Sequence, residues 1–309
     1  TFLCGSKNTT KTTRLNGSAI MVKSLVTVCV SACLLLSLNA CTQDKDANTT
    51  LTDTTEQSHT LRIAAAANLS DVLPHIIDSY QADNSSSAQN ISGISDIEVT
   101  YASSGKLYAQ IKAGAPYDIF LSANQDFPAK LADENSADVT SKERKLTKPF
   151  TYTRGQLALY SVSKPLNDFT PTSLGDVFTS ADFTQDSKVA IANPDLAPYG
   201  ASAKAYLQSQ NMYDKLNAQK SLIQSENIGQ AFQYAYTGSV DYGFVAQSQL
   251  VAIKAKPEQF ITLLPASYPA ILQDGIIINN TAPAADFTDY LRSKAGQQHF
   301  LQAGYLAVQ

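Results

Sequence analysis

From Leu61 onward, short apolar runs alternate with stretches whose apolar residues recur every three or four positions. LRIAAAA (61–67) has the density of a buried strand, and the segment after it carries Leu69, Val72, Leu73, Ile76, Ile77 and Tyr80 on one helical face. A Ser/Asn/Gly-rich stretch over 84–95 predicts an exposed loop. Then come the strand IEVTYA (97–102), the turn Ser103-Ser104-Gly105, a helix through Leu107, Ile111 and Ala113, the strand DIFLSA (118–123) and another helix. The rhythm repeats as KVAIAN (188–193) before a helix from Tyr199, SLIQSEN (221–227) before a helix from Ile228, and VDYGFVA (240–246) before QSQLVAIK. Strand–helix alternation of this kind predicts an α/β fold of mostly parallel sheets with helices on both faces. Two longer strands, within TRGQLALYSV (153–162) and AILQDGIIIN (270–279), let the chain leave one lobe, build a second and return. The expected architecture is therefore two α/β lobes joined by a two-strand hinge. Lobe I spans 61–150 and 278–309, lobe II spans 151–277, and the C-terminal helices return to the first.

The first sixty residues have a different texture. Residues 25–40 are apolar and follow Lys23, and no charge appears until Asp44. A basic start, an apolar stretch and small residues before a break read as a secretory signal. Leu38-Asn39-Ala40-Cys41 resembles the lipobox of bacterial lipoproteins, which makes Cys41 the expected lipidation site. Val30-Ser31-Ala32-Cys33 fits the same pattern but leaves Leu34, Leu35 and Leu36 on the mature chain. An uncleaved anchor is the alternative, although the stretch falls just short of the roughly 20 apolar residues of a spanning helix. Met21 is the expected natural start, so 1–40 reads as an upstream extension plus signal peptide. Residues 41–60, polar and Thr-rich, read as a solvated tether. Asp44, Asp46 and Asn48 imitate the start of a calcium loop, but its glycine at the sixth place and glutamate at the twelfth are missing.

Charge and cysteine usage sharpen this division. The 309 residues carry a formal net charge of −4, and all four cysteines (Cys4, Cys29, Cys33, Cys41) lie in the first 41 positions. Lys7, Lys11, Arg14 and Lys23 are the charges of residues 1–40. Removing those four from 23 basic residues leaves 19 against 27 acidic ones, a net of −8 for the rest. With no Trp and only His59, His75 and His299 as histidines, the body excludes a disulfide scaffold, a thiolate zinc site and a cysteine nucleophile. Its acidity argues against nucleic acid as a partner. No cofactor is expected.

In parallel α/β sheets, ligands sit beyond the carboxyl ends of strands, where helices begin. Four such junctions are rich in small, hydroxyl or amide residues: Ala67-Asn68, Ser103-Ser104-Gly105, Pro198-Tyr199-Gly200 and Asn227-Ile228-Gly229. Free backbone N–H groups at helix starts attract anions. Equally, Asn and Ser are ordinary N-caps, so the pattern alone reads as an anion or small-ligand site beside a purely capping alternative.

AAAANL (64–69), YASSGKLYAQIKAGAPYDIFLSA (101–123), VAIANPDLAPYGASAKAYL (189–207) and DYGFVAQSQL (241–250) together resemble the periplasmic molybdate-binding proteins of ABC transporters. The resemblance runs from Leu61 to the C-terminus and implies a type II periplasmic-binding fold that grips a bare tetrahedral oxyanion with neutral donors. Motif by motif, it implies ligand contacts at Asn68, Ser104, Tyr199 and Ile228, with Ala67 and Ser103 as additional candidates; Tyr199 and Ile228 match backbone-donor positions. Where some members carry a tyrosine, this chain has Ala246, and Tyr199 offers a phenol from the opposite side. The resemblance further implies a periplasmic location, an ABC permease as partner, a monomer, and molybdenum entering only as the oxyanion, with tungstate as a second ligand.

Two rivals are weighed by chemistry. Sulfate or phosphate is the alternative ligand, but phosphate keeps a proton at neutral pH and needs an acceptor in the pocket. Ser103 and Lys106 satisfy S-x-x-K, the start of a serine acyl-enzyme signature, yet K-T-G, S-D-N and G-x-S-x-G are all missing. The reading is therefore of a binder without catalytic residues. His75 reads as a surface or capping histidine, and the tyrosines as core-edge aromatics rather than iron ligands.

Overall fold

The structure, a computed structural model, describes residues 59–86, 94–137 and 146–308. The expectations for the leader, Cys41 and most of the tether lie outside the described residues, as does the middle of the loop expected over 84–95.

The first sheet is built from β1 (His59–Ala66), β2 (Ile94–Ala102), β3 (Ile119–Leu121), β4 (Phe150–Gly155) and a strand that returns late in the chain, Ile271–Ile277. The second is built from β5 (Leu157–Tyr160), β6 (Val189–Ala192), β7 (Leu222–Ser225), β8 (Tyr242–Ala246) and β9 (Phe260–Thr262); the returning strand is β10. The strand orders are β2-β1-β3-β10-β4 and β7-β6-β8-β5-β9. In each sheet three strands run parallel. The crossing strands β4, β5 and β10, with β9, pair antiparallel.

The helices follow their strands as the alternation requires. The first lobe carries α1 (Leu73–Ser86), α2 (Ser104–Lys112) and α3 (Asp126–Ala137); the second carries α4 (Pro198–Ser209), α5 (Tyr213–Ala218), α6 (Ile228–Tyr236) and α7 (Gln247–Ala252). The helix expected from Asn68 begins instead with a 3₁₀ turn, Ala67–Leu69, and α1 starts at Leu73 and runs to Ser86, into the stretch read as loop. Helices α8 (Ala282–Arg292) and α9 (Lys294–Gln302) pack Phe287, Leu291 and Phe300 with Leu61, Ile63, Leu73 and Ile76, on one face of the first sheet. Its other face packs Ala64 and Phe120 with Leu107, Ile111 and Leu131. Neighbouring residues Ile63 and Ala64 serve opposite faces because strand side chains alternate. The second lobe centres on Leu159, Val189, Ile191 and Phe244, all fully buried, with Ala203, Leu207 and Phe232 of the flanking helices. Fully burying each such Leu, Ile, Val or Phe contributes about 1.5–3 kcal/mol.

The lobe boundary read from sequence lies at 150/151 and 277/278. Strand pairing keeps Phe150–Gly155 and Ile271–Ile277 in the first sheet, because β4 and β10 pair with each other. The chain thus passes between sheets at Gln156 and again over residues 263–270.

Candidate functional site at the lobe interface

Parallel pairing brings the junctions together. Register pairs Ala66 with Ala102 and Ala192 with Ser225, so within each sheet two adjacent strands end at the same level. Each lobe therefore offers two side-by-side starts: the 3₁₀ turn and α2 from the first, α4 and α6 from the second. These four starts meet around one small cavity, about 10 Å³, lined by Ala67, Asn68, Ser103, Ser104, Tyr199, Asn227 and Ile228, with Ala66, Ala102, Ala123, Ala197 and Pro198 around them. All the residues expected from sequence meet here, every one nine-tenths buried or more. None of the lining residues carries a formal charge.

The local chemistry differs from start to start. Ser104 Oγ accepts the Ala123 N–H at 2.9 Å, which leaves its own proton for another acceptor. Ser103, the residue before α2, makes no capping bond; its hydroxyl donates to Glu226 Oε1 at 3.0 Å. Ala197 precedes α4 and has no side chain with which to cap it. Asn227 does cap α6, accepting from Gln230 N at 3.0 Å, and its amide also donates to the Glu226 carboxylate. The capping reading thus holds for one junction of the four, and the first-turn N–H groups of α2 and α4 meet no capping side chain.

Position is set by close approach. A Cβ at Gly200 would sit 2.1 Å from the Ala192 carbonyl oxygen, so only glycine lets α4 begin hard against the end of β6. A Cβ at Gly155 would fall 2.2 Å from Tyr199 Oη, so the crossing strand is glycine where the tyrosine ring lies over it. The Tyr199 phenol points to this crossing and accepts from Gln273 Nε2 at 3.2 Å. Burial pushes the Tyr199, Tyr152 and Tyr305 phenols well above their ordinary value, with neighbouring phenols adding to the effect at Tyr199. They stay protonated and able to donate. Ala246 is fully buried, and its N–H donates to Gln249 Oε1 at 2.9 Å.

The lobes touch through the site. Gly105 N donates to Leu196 O at 2.9 Å, and Ser248 Oγ lies 3.5 Å from the Asn68 carbonyl. Lys106 Nζ stands 3.8 Å from Glu226 and is half exposed. The Ser103 proton goes to the same carboxylate rather than to Lys106, so the S-x-x-K pair is not arranged as nucleophile and base.

A family profile described as "Bacterial extracellular solute-binding protein" matches residues 61–306. The chain belongs to this family. Among solute-binding proteins, it is 33% identical over 214 residues to the molybdate-binding protein ModA of Rhodobacter capsulatus, covering 67% of this chain and 77% of that one. It is 29% identical over 260 residues to the putative ABC transporter substrate-binding lipoprotein YvgL of Bacillus subtilis, covering 82% and 88%. The periplasmic molybdate-binding protein of Azotobacter vinelandii superposes with a TM-score of 0.65 at 28% identity, covering 81% of this chain and all of that one. The two-lobed periplasmic-binding fold is shared. Sequence reasoning missed Gln273, Glu226, Tyr152 and Tyr305, which surround the site. Gln273 alone left a signal, as an uncharged polar residue inside the apolar strand AILQDGIIIN.

Proposed function

We propose that this chain is an extracytoplasmic solute-binding protein that captures molybdate, and tungstate with it, between its lobes and delivers it to an ABC permease. The observation that carries the reading is the convergence of helix starts without side-chain caps and the free Ser104 proton on a buried, uncharged cavity. One helix start stabilises an anion by about 0.3–1 kcal/mol, rising to about 2 when partly buried. Each hydrogen bond to a charged partner adds about 1.5–3 kcal/mol, so donors from both lobes hold a dehydrated dianion without lysine or arginine. Asn68, Ser104 and the backbone N–H groups of Tyr199 and Ile228 are the donors in this reading; Ala67 lines the wall. Ser103 serves Glu226 instead. The names of the relatives support molybdate, and a wall without a carboxylate disfavours protonated phosphate. The protein acts as a monomer without a cofactor and without catalysis, and closes by bending at Gln156 and over 263–270.

Calorimetry with molybdate, tungstate, sulfate and phosphate tests the reading: molybdate and tungstate bind tightly and phosphate does not. Phosphate binding as tight as molybdate would sink it. We propose further that Cys41 is lipidated and holds the protein at the membrane, as the YvgL description supports. Cys41→Ser then moves the protein to the soluble fraction on cell fractionation; continued membrane attachment points to an uncleaved anchor.

A further inference from the structure

Asn68 and Gln273 are both fully buried, and their side-chain amides meet, Asn68 Nδ2 donating to Gln273 Oε1 at 3.0 Å. Asn68 Nδ2 donates as well to Tyr305 Oη at 3.0 Å, so both of its protons are committed within the protein. Its Oδ1 has no hydrogen-bond partner among the described residues. A residue lining a proposed oxyanion cavity thus holds a bare acceptor and has no amide proton to offer. Leaving such a buried acceptor unpaired is costly, and the alternative amide orientation replaces it with a donor that an anion can pair.

Turning Asn68 alone would set its oxygen against Gln273 Oε1, acceptor facing acceptor. Both amides must turn together. In the turned arrangement Gln273 Nε2 donates to Asn68 Oδ1 and to Tyr152 Oη, whose own proton stays on the Ser122 carbonyl, now 2.8 Å away. Gln273 Oε1 then accepts the phenolic proton of Tyr199, where the phenol had been the acceptor. The Tyr305 hydroxyl, which donates to the Asn68 carbonyl at 2.7 Å, swings its proton to Oδ1, and Ser248 remains beside that carbonyl. Every group in the network is then paired except Asn68 Nδ2.

We infer that Gln273 is the positioning residue of the anion site: it turns over with Asn68 when an oxyanion enters, freeing the Asn68 amide to donate and passing the change to Tyr199 in the other lobe. The inference rests on the oxyanion reading above. It makes ligand capture and the bond between β10 and α4 one coupled event, since the Tyr199 phenol changes from acceptor to donor toward Gln273 only when the anion is present.

The test is a double-mutant cycle on the full chain with sodium molybdate, read by calorimetry. Asn68→Ala and Gln273→Met each weaken binding by about 10- to 100-fold, the scale of one lost bond to a charged partner. The double variant binds no more than about threefold worse than the weaker single, because Gln273 acts through Asn68. Losses that multiply, or near-native binding by Gln273→Met, overturn the inference while the oxyanion reading stands. Wild-type protein that binds no molybdate overturns both. Gln273→Glu guards against a variant that fails to fold. Its buried carboxyl must take a proton before it can donate, so its affinity rises as pH falls from about 8 to about 6 while the wild type stays flat. A flat profile for folded Gln273→Glu also overturns the inference.

Discussion

The two lobes repeat one topology and furnish the site in different ways. Each places two adjacent parallel strands beside each other so that their ends, and the starts that follow, share one edge. The first lobe brings side chains to that edge, the Asn68 amide and the Ser104 hydroxyl. Each of these has to be held by neighbours: Gln273 and Tyr305 in one case, the Ala123 N–H in the other. The second lobe brings backbone, the first turns of α4 and α6, whose N–H groups are aimed by the helix itself. The difference teaches where substitution has purchase. A backbone donor survives a side-chain change and is lost only when its helix moves; a side-chain donor is lost with its own atoms or with those that hold it.

Moving a helix is the harshest way to break this comparison. Gly200→Ala puts a methyl against the Ala192 carbonyl and forces α4 off the end of β6. Overpacking of this kind costs about 1–3 kcal/mol of stability and, against backbone, somewhat more. Thermal unfolding will register the drop, and calorimetry with molybdate will show a larger loss of binding than Ser104→Ala or Lys106→Ala produces. Native binding by this variant would mean that the second-lobe backbone contributes nothing.

Ser104→Ala examines the other half. It removes one side-chain donor while α2 stays in place, and molybdate binding should weaken by about 1–3 kcal/mol. The melting temperature should change far less than in Gly200→Ala. Unchanged affinity would take Ser104 out of the contact set and leave the site to backbone groups.

The smallest effect is expected where the lobes touch through solvent-exposed charge. Lys106 and Glu226 bridge the cleft at 3.8 Å, with side chains 53% and 35% exposed. Pairs in water contribute about 0–1 kcal/mol, so Lys106→Ala should alter affinity by less than about fivefold, and that difference should vanish at high salt. A larger, salt-resistant loss would move the grip on the closed state from the buried donors to the rim.

Much of this was legible without coordinates. The strand and helix order came from periodicity, and the turn at Ser103-Ser104-Gly105 from its small residues. All six oxyanion candidates line one cavity. What stayed hidden is specific. The 3₁₀ turn at Ala67–Leu69 lies inside a stretch with helical spacing, and one tight turn leaves no period to detect. The short strand β9, three residues long, carries no alternation of its own. That Ser103 serves Glu226 while Ser104 keeps a free proton follows from the 123-residue gap closed by the lobes, and adjacent serines look alike in sequence.

The sequence by itself determined which residues stand at the strand ends, because hydrophobic spacing and turn chemistry act over a few neighbours. It also determined that the body is acidic and cysteine-free, which argues against an anion site built from a basic patch and leaves one built from neutral donors open. Only the tertiary structure decided which donors are uncommitted. Asn68 and Gln273 are 205 positions apart, and Asn68 and Tyr305 are 237 apart. Hydrogen bonds across such distances exist only after β10 has returned to the first sheet and the C-terminal segment has packed against it, and burial then makes each unpaired atom, Asn68 Oδ1 foremost, a matter of kilocalories rather than of indifference.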